Sequence, residues 1–200
     1  MSAPPVTRAS SWNIANYLTV LRLALVPVFV VLLVGDETWS RAAAAGVFMF
    51  ASGTDWYDGQ LARNRNLVTP FGKLADPIAD KALIGAALVG LSALGELPWL
   101  VTVLVLVREV GVTLLRFFVI RHGVIPASRG GKVKTSLQIL AIVLYVLPLT
   151  GLLATARAGV MTAAVVVTVV TGVDYVVRAV TLRRTSERAA MKRARRAASR

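Results

Sequence analysis

The chain has no cysteine and a single histidine, His122. Disulfides, thiolate nucleophiles and cysteine metal sites are therefore excluded. A multi-histidine metal site or a serine–histidine triad would also be hard to build. Acids are scarce: ten in 200 residues, against 23 lysines and arginines. Acid–base or metal chemistry must then come largely from Asp36, Glu37, Asp55, Asp58, Asp76, Asp80, Glu96, Glu109, Asp174 and Glu187. Four of these fall between positions 55 and 80, inside otherwise apolar segments. Charge of either sign makes up only 16% of the chain, while hydrophobic residues make up 56% and the mean hydropathy is +0.68. A soluble domain of this length carries more charge and fewer aliphatic residues, so the composition points to an integral membrane protein.

A membrane-spanning helix needs about 20 mostly apolar residues. Six stretches qualify, at about 18–34, 40–63, 70–94, 98–120, 134–153 and 158–180. The fold class expected is therefore all-α integral membrane, with six transmembrane helices. A short interfacial helix near 12–17 should lead into the first. Residues 1–12 are polar, carry two prolines and Arg8, and do not read as a signal peptide, because no short apolar core with a small-residue cleavage site follows. No internal repeat and no long linker is visible.

An even number of spans puts both termini on one side. One set of junctions carries Arg63, Arg65, Lys73, Arg121, Arg129, Lys132, Lys134 and the C-terminal tail; the other carries Asp36, Glu37, Glu96, Arg41 and Arg157. Lysine and arginine accumulate in cytoplasmic loops, so the first set and both termini should be cytoplasmic. The net charge of +13 is concentrated at the end of the chain. Residues 183–200 hold eight basic residues against Glu187 alone, a contribution of +7. Beside a hydrophobic span such a tail is expected to meet anionic lipid headgroups rather than nucleic acid.

Residues 55–80 carry the chemistry. They read Asp55-Trp-Tyr-Asp58-Gly59-Gln-Leu-Ala62-Arg63, then eight residues, then Gly72-Lys-Leu-Ala-Asp76-Pro-Ile-Ala-Asp80. Positions 55, 58, 59, 62 and 63 share one helical face, and 72, 76 and 80 share another. On a buried helix these stripes should be apolar; here they hold acids, one arginine and small residues. Thr69-Pro70 suits the N-cap and first position of the second helix, and Pro77 is expected to kink it after Asp76. The intervening loop is short, so the helices should run antiparallel with their cytoplasmic ends adjacent. Four carboxylates converging there would repel one another at a cost of several kcal/mol without counter-charge. Hard cations such as Mg²⁺ or Mn²⁺ resolve this, since they prefer oxygen ligands and bridge phosphates. Pairing with Arg63, Lys73 and Lys81 alone would leave the small residues on the same faces unexplained.

This spacing resembles the signature of the CDP-alcohol phosphotransferase (phosphatidyltransferase) family, D-x-x-D-G-x-x-A-R-x8-G-x3-D-x3-D, at every specified position. The resemblance implies an active site on the cytoplasmic side, in which Asp55, Asp58, Asp76 and Asp80 hold two divalent ions, Mg²⁺ or Mn²⁺. Asp80 would also be the general base. It implies that Gly59, Ala62, Arg63, Thr69 and Gly72 lie against the CDP moiety of CDP-diacylglycerol. Domains would be a six-helix catalytic domain, 1–182, and a basic cytoplasmic tail, 183–200. A homodimer in a bacterial inner membrane is expected.

The likeness extends over most of 13–145. Asn13-Ile-Ala-Asn16-Tyr-Leu-Thr19-Val-Leu-Arg22, with Pro27, is similar to the opening of the phosphatidylglycerophosphate synthase branch, though Ala15 stands where proline is usual. Asn16 and Thr19 would help line the nucleotide pocket. Arg108-Glu109, Arg116 and the stretch 126–135 also resemble that branch, whose acceptor is sn-glycerol 3-phosphate. Arg108 lies near the middle of a span, where an unpaired charge is costly. Arg116 follows two turns on, roughly 80° around the helix. Lys132 and Lys134 head the next helix, whose N-terminus favours an anion. Arg108, Arg116, Lys132 and Lys134 are thus candidates for the acceptor phosphate. Arg108 could instead pair with Glu109 or another helix, and the lysines could be ordinary loop charges. Inositol phosphate or phosphatidylglycerol as acceptor, and an ion-coupled transporter as a different class, are the competing readings. Against the last, the acids cluster at helix ends rather than at mid-membrane.

Overall fold

The structure is a computed structural model, and it describes residues 14–35, 37–64, 70–119 and 129–198. Side chains are described for these residues except 14, 15, 55–64, 70–77, 117, 119, 129, 184 and 186–198. All of the described secondary structure is helical: α1 Ile14–Val34, α2 Thr38–Asn64, α3 Pro70–Ala93, α4 Trp99–Val119, α5 Arg129–Val146 and α6 Gly151–Ala198. The sequence expectation of six helices in this order holds. Residues 14–17, expected as part of an interfacial lead-in, are the first turn of α1 itself.

Two boundaries move, for physical reasons. The fifth helix ends at Val146 rather than near 153, because Pro148 offers no backbone N–H and disfavours helix in the residue before it. The amide of Leu149 instead bonds the Leu147 carbonyl at 2.8 Å, closing a tight turn. The sixth helix then starts at Gly151, whose φ of 61° only glycine adopts freely. It does not stop at 180 but runs 48 residues to Ala198, so the basic C-terminal segment continues a helix. α3 passes through Pro77 without ending there.

Among the described residues two helical stretches are long and apolar enough to cross a membrane, Asn16–Val34 and Gly151–Arg183. α4 is of similar length to α1 but carries Arg108, Glu109 and Arg116. Its apolar residues Leu100, Val103, Val107, Val110, Leu114 and Phe118 are all exposed and recur every three or four positions. They form one outward stripe, and the charged residues lie off it. An exposed stripe of this kind suits a hydrocarbon surround, where apolar side chains need no protein cover.

The chain divides into two compact units. The first comprises Met1–Pro98 and Ile142–Ala154, the second Trp99–Ala141 and Thr155–Arg200. In the first unit α1 packs against both α2 and α3. Phe29 and Phe48 meet with ring centroids 5.6 Å apart, and Leu33, Ala44, Ala45, Ala87 and Leu88 are buried around them. Small residues bring these backbones close: a Cβ on Gly90 would sit 2.6 Å from the Leu33 side chain. α3 ends in a Schellman turn, with Gly95 at φ 74°, its amide on the Ser92 carbonyl and the Glu96 amide on that of Leu91.

At the end of the first unit remote from the aspartates, Arg41 is a tie. Its Nε and Nη2 donate to the carbonyls of Val146 and Tyr145 at 3.0 and 3.1 Å, and Nη2 pairs with Glu96 at 2.7 Å. Those carbonyls lie at the C-terminus of α5, where no intrahelical donor remains. One guanidinium thus joins the start of α2, the α3–α4 turn and the end of α5. Replacing Arg41 with methionine should lower stability by about 2 kcal/mol, from the loss of three hydrogen bonds at roughly 1 kcal/mol each less the regained packing. Glu96→Gln should lose less, because both carbonyl bonds remain. Thermal unfolding of the two variants in the same detergent gives the order directly.

Candidate active site

Both segments of the aspartate signature lie on helices. α2 is helical through Asn64, so Asp55 and Asp58 lie on one face of its last three turns. α3 begins at Pro70, so Asp76 and Asp80 lie one turn apart on one face of its first three turns. The two helices pack against each other, and α1 packs on both. Asp80 is half-buried and has an interaction partner. The side chains of Asp55, Asp58, Ala62, Arg63 and Asp76, the surroundings of Gly59 and Gly72, and the whole of Thr69 lie outside the described residues. Among the described residues there is no group of three acids or histidines able to hold a metal ion.

What the structure adds is a row of buried polar residues on α1, which packs on both helices. α1 buries three polar residues in succession: Asn16, Thr19 and Arg22 are 2%, 0% and 1% exposed. Arg22 Nε donates to the carbonyl of Ala51 at 3.2 Å, and Thr54 Oγ1 donates to the same carbonyl at 2.7 Å. Ala51 lies one turn before Asp55. A guanidinium buried in α1 thereby grips α2 immediately ahead of its acidic turns. In the sequence Arg22 stood out only as the end of the 13–22 motif, and its partner, a backbone carbonyl 29 residues away, leaves no mark there.

The second unit holds the candidate acceptor-phosphate residues, and it treats them differently. Arg108 Nη1 donates to Glu109 at 3.2 Å, its Nε to the Thr168 carbonyl at 3.2 Å, and its Nη2 to Thr171 Oγ1 at 3.0 Å. Lys134 is buried and pairs with the same oxygen of Glu109. The pairing of Arg108 with its neighbour and another helix, weighed above as the structural alternative, is therefore present. Glu109 meets two cations with one charge, so the trio keeps a net positive charge. Gly172 makes room for it: a Cβ there would stand 3.0 Å from Arg108 Cγ. Arg116 is exposed in the last turn of α4, 5.9 Å from the centre of the Tyr175 ring, and Lys132 is exposed in the first turn of α5. Sequence reasoning did not single out Gln138, Thr168 or Thr171, although polar residues inside apolar helices were the available signal.

Comparison with known proteins decides the family. The description of the CDP-alcohol phosphatidyltransferases matches residues 12–170. The chain belongs to this family. It is 56% identical over 187 residues to a probable phosphatidylglycerophosphate synthase of Mycobacterium tuberculosis (strain CDC 1551 / Oshkosh), covering 90% of each chain. It is 41% identical over 144 residues to the CDP-diacylglycerol–glycerol-3-phosphate 3-phosphatidyltransferase of Bacillus subtilis, covering 66% of this chain and 75% of that one. A Rickettsia felis protein of the same description is 41% identical over 136 residues, covering 68% and 75%. The resemblance read from residues 55–80 is borne out over most of the chain. For a CDP-alcohol phosphatidyltransferase the donor set also fits a metal centre: four carboxylates on two packed helices, with no sulfur and no imidazole among them, suit Mg²⁺ or Mn²⁺.

The shared carboxylate of the second unit makes a sharp prediction. Glu109→Gln leaves Arg108 and Lys134 without their common anion in a largely buried setting, which should cost about 3 kcal/mol or more. Exchanging Glu109 for aspartate should recover part of this. Denaturation midpoints in detergent, compared with those of an exposed control such as Asp174→Asn, measure both.

Proposed function

We propose that the chain is a phosphatidylglycerophosphate synthase: it transfers the phosphatidyl group from CDP-diacylglycerol to sn-glycerol 3-phosphate and releases CMP. The observation that carries the reading is the complete Asp55–Asp80 signature on the packed α2–α3 pair, in a chain 56% identical to a probable synthase of that name across 90% of both proteins.

Asp55, Asp58, Asp76 and Asp80 would hold two divalent ions. When bound, such ions neutralise the diphosphate and stabilise the charge that develops on the departing phosphate. The protein's own residues do the rest. Gly59, Ala62 and Gly72 leave space for the nucleotide beside the α2 and α3 backbones; Arg63 and Thr69 contact it, with Asn16 and Thr19 contributing from α1. Arg22 keeps α2 in register through the Ala51 carbonyl. Asp80 takes the proton from a hydroxyl of the acceptor as that oxygen attacks the β-phosphorus, and the bond to CMP breaks. Arg116, Lys132, Arg108 and Lys134 supply the positive charge for the acceptor phosphate, the last two with Glu109 offsetting one charge.

In this reading all six helices cross the bacterial inner membrane, with both termini and the aspartates on the cytoplasmic side. The outward apolar stripe of α4 and the lysine–arginine bias of the junctions support it. The basic end of α6 lies at the anionic headgroups, and the working unit is a homodimer.

Purified protein in detergent with Mn²⁺ or Mg²⁺ should release CMP from CDP-diacylglycerol when glycerol 3-phosphate is added. Inositol phosphate or phosphatidylglycerol should not replace it. Asp80→Asn should lower kcat by roughly 10²- to 10⁴-fold, the usual contribution of a general base. Turnover with one of the other acceptors would keep the chemistry and overturn the choice of substrate.

A further inference from the structure

Lys81 adjoins Asp80 on α3, and the structure treats it unlike other cations set in the helices. Arg22, Arg41, Arg108 and Lys134 each donate to a carbonyl or a carboxylate. Lys81 is half-buried, yet among the described residues it has neither a hydrogen bond nor an ion pair. It therefore does not neutralise its neighbour Asp80. An ammonium partly withdrawn from water is costly without a polar partner, which calls for a group from outside the chain.

Helix geometry locates that group. Successive residues turn by about 100°, so Ile84 and Ile78 flank Lys81 at about 60° on either side. Ile84 is buried with Leu83, Ala87 and Leu88 on the side that α3 turns to α1 and α2, and Asp80 lies on that side too. Ile78, on the other side, is 61% exposed, and Val89 further along is exposed as well. Lys81 thus stands on the line between the acidic side of α3 and its outward apolar side. Side chains on a helix lean toward its N-terminus, which for α3 is the end that carries the aspartates. A lysine stem covers apolar surface while its ammonium stays among polar groups.

A CDP-linked lipid has to cross a line of this kind. Its diphosphate belongs with the acids and their ions, and its chains belong in hydrocarbon. Between them lie the two ester carbonyls of the diacylglycerol. In the reading above the metal centre serves the diphosphate and nothing yet serves these carbonyls. A carbonyl is also the acceptor that Arg22, Arg41 and Arg108 take.

We propose that Lys81 donates to an ester carbonyl of the donor's diacylglycerol, so that the site prefers an ester-linked lipid over its ether-linked analogue. The proposal rests on the CDP-diacylglycerol reading above.

The probes are CDP-diacylglycerol, CDP-dialkylglycerol of the same chain length, whose ether links remove both carbonyls, and CDP itself. Dissociation constants are measured with Mg²⁺ in micelles of fixed composition for wild type, Lys81→Met, Lys81→Gln and Lys81→Arg, each checked by melting temperature. Wild type should bind the ester lipid about tenfold or more tightly than the ether lipid, the usual worth of a hydrogen bond from a charged group. In Lys81→Met and Lys81→Gln that ratio should fall toward one, with CDP binding within about twofold of wild type; Lys81→Arg should keep most of the ratio. A wild type without the ester preference would overturn the proposal whether or not the variants fold. Equal weakening of all three ligands would overturn it and assign Lys81 to the diphosphate. Equal weakening of the two lipids alone would assign it to the phosphodiester, and no weakening at all to the headgroups of the surrounding lipid; both outcomes also overturn it. A wild type that binds CDP but neither lipid would instead remove the donor reading on which the proposal stands.

Discussion

Charge placed inside apolar helices needs an opposite charge, a backbone carbonyl or an ion beside it, and this requirement organises the chain. Ten acids stand against 23 basic residues, and among the described residues the arginines set inside the helices rely mainly on carbonyls. Arg22 takes that of Ala51, Arg41 those of Tyr145 and Val146, and Arg108 that of Thr168. In each case the guanidinium, with five donors in a planar fork, reaches across to another helix and joins it. The carboxylates are thereby left for work that carbonyls cannot do. Glu96 pairs with Arg41, and Glu109 with Arg108 and Lys134; in the proposed reading the four aspartates of α2 and α3 are left for cations that arrive from outside the chain.

The grip of Arg22 shows how this serves the site. A helix whose face carries Asp55 and Asp58 is under electrostatic pressure to turn away from α3, because like charges repel strongly where water is scarce. Fixing the Ala51 carbonyl one turn earlier opposes that rotation through a neutral acceptor. The cost of desolvating the guanidinium is offset by the bonds it makes.

Much of this was legible in the sequence, and for a stated reason. Helix number and order follow from runs of apolar residues, which hydrocarbon enforces without reference to partners. The aspartates were legible because two helical stripes held acids and small residues where apolar ones belong. What escaped depended on pairings across the chain. Nothing near Arg41 announces a bond 105 residues away at Val146. Pro148 was available as a stop signal, but the apolar run around it masked the end of α5. Arg108 was open to two readings from its sequence alone, phosphate ligand or ion-pair partner, and only the placement of Glu109, Lys134 and α6 shows that it is held within its own unit.

The central claim is that α2 and α3 together hold two divalent ions on Asp55, Asp58, Asp76 and Asp80. Equilibrium binding of Mn²⁺ to purified protein, followed by electron paramagnetic resonance in the presence of CDP, tests it without reference to turnover. The account requires two Mn²⁺ per chain, with spin–spin coupling between them, and the loss of at least one when Asp58 or Asp76 is replaced by asparagine. A single uncoupled ion, or two that survive these replacements, would contradict it.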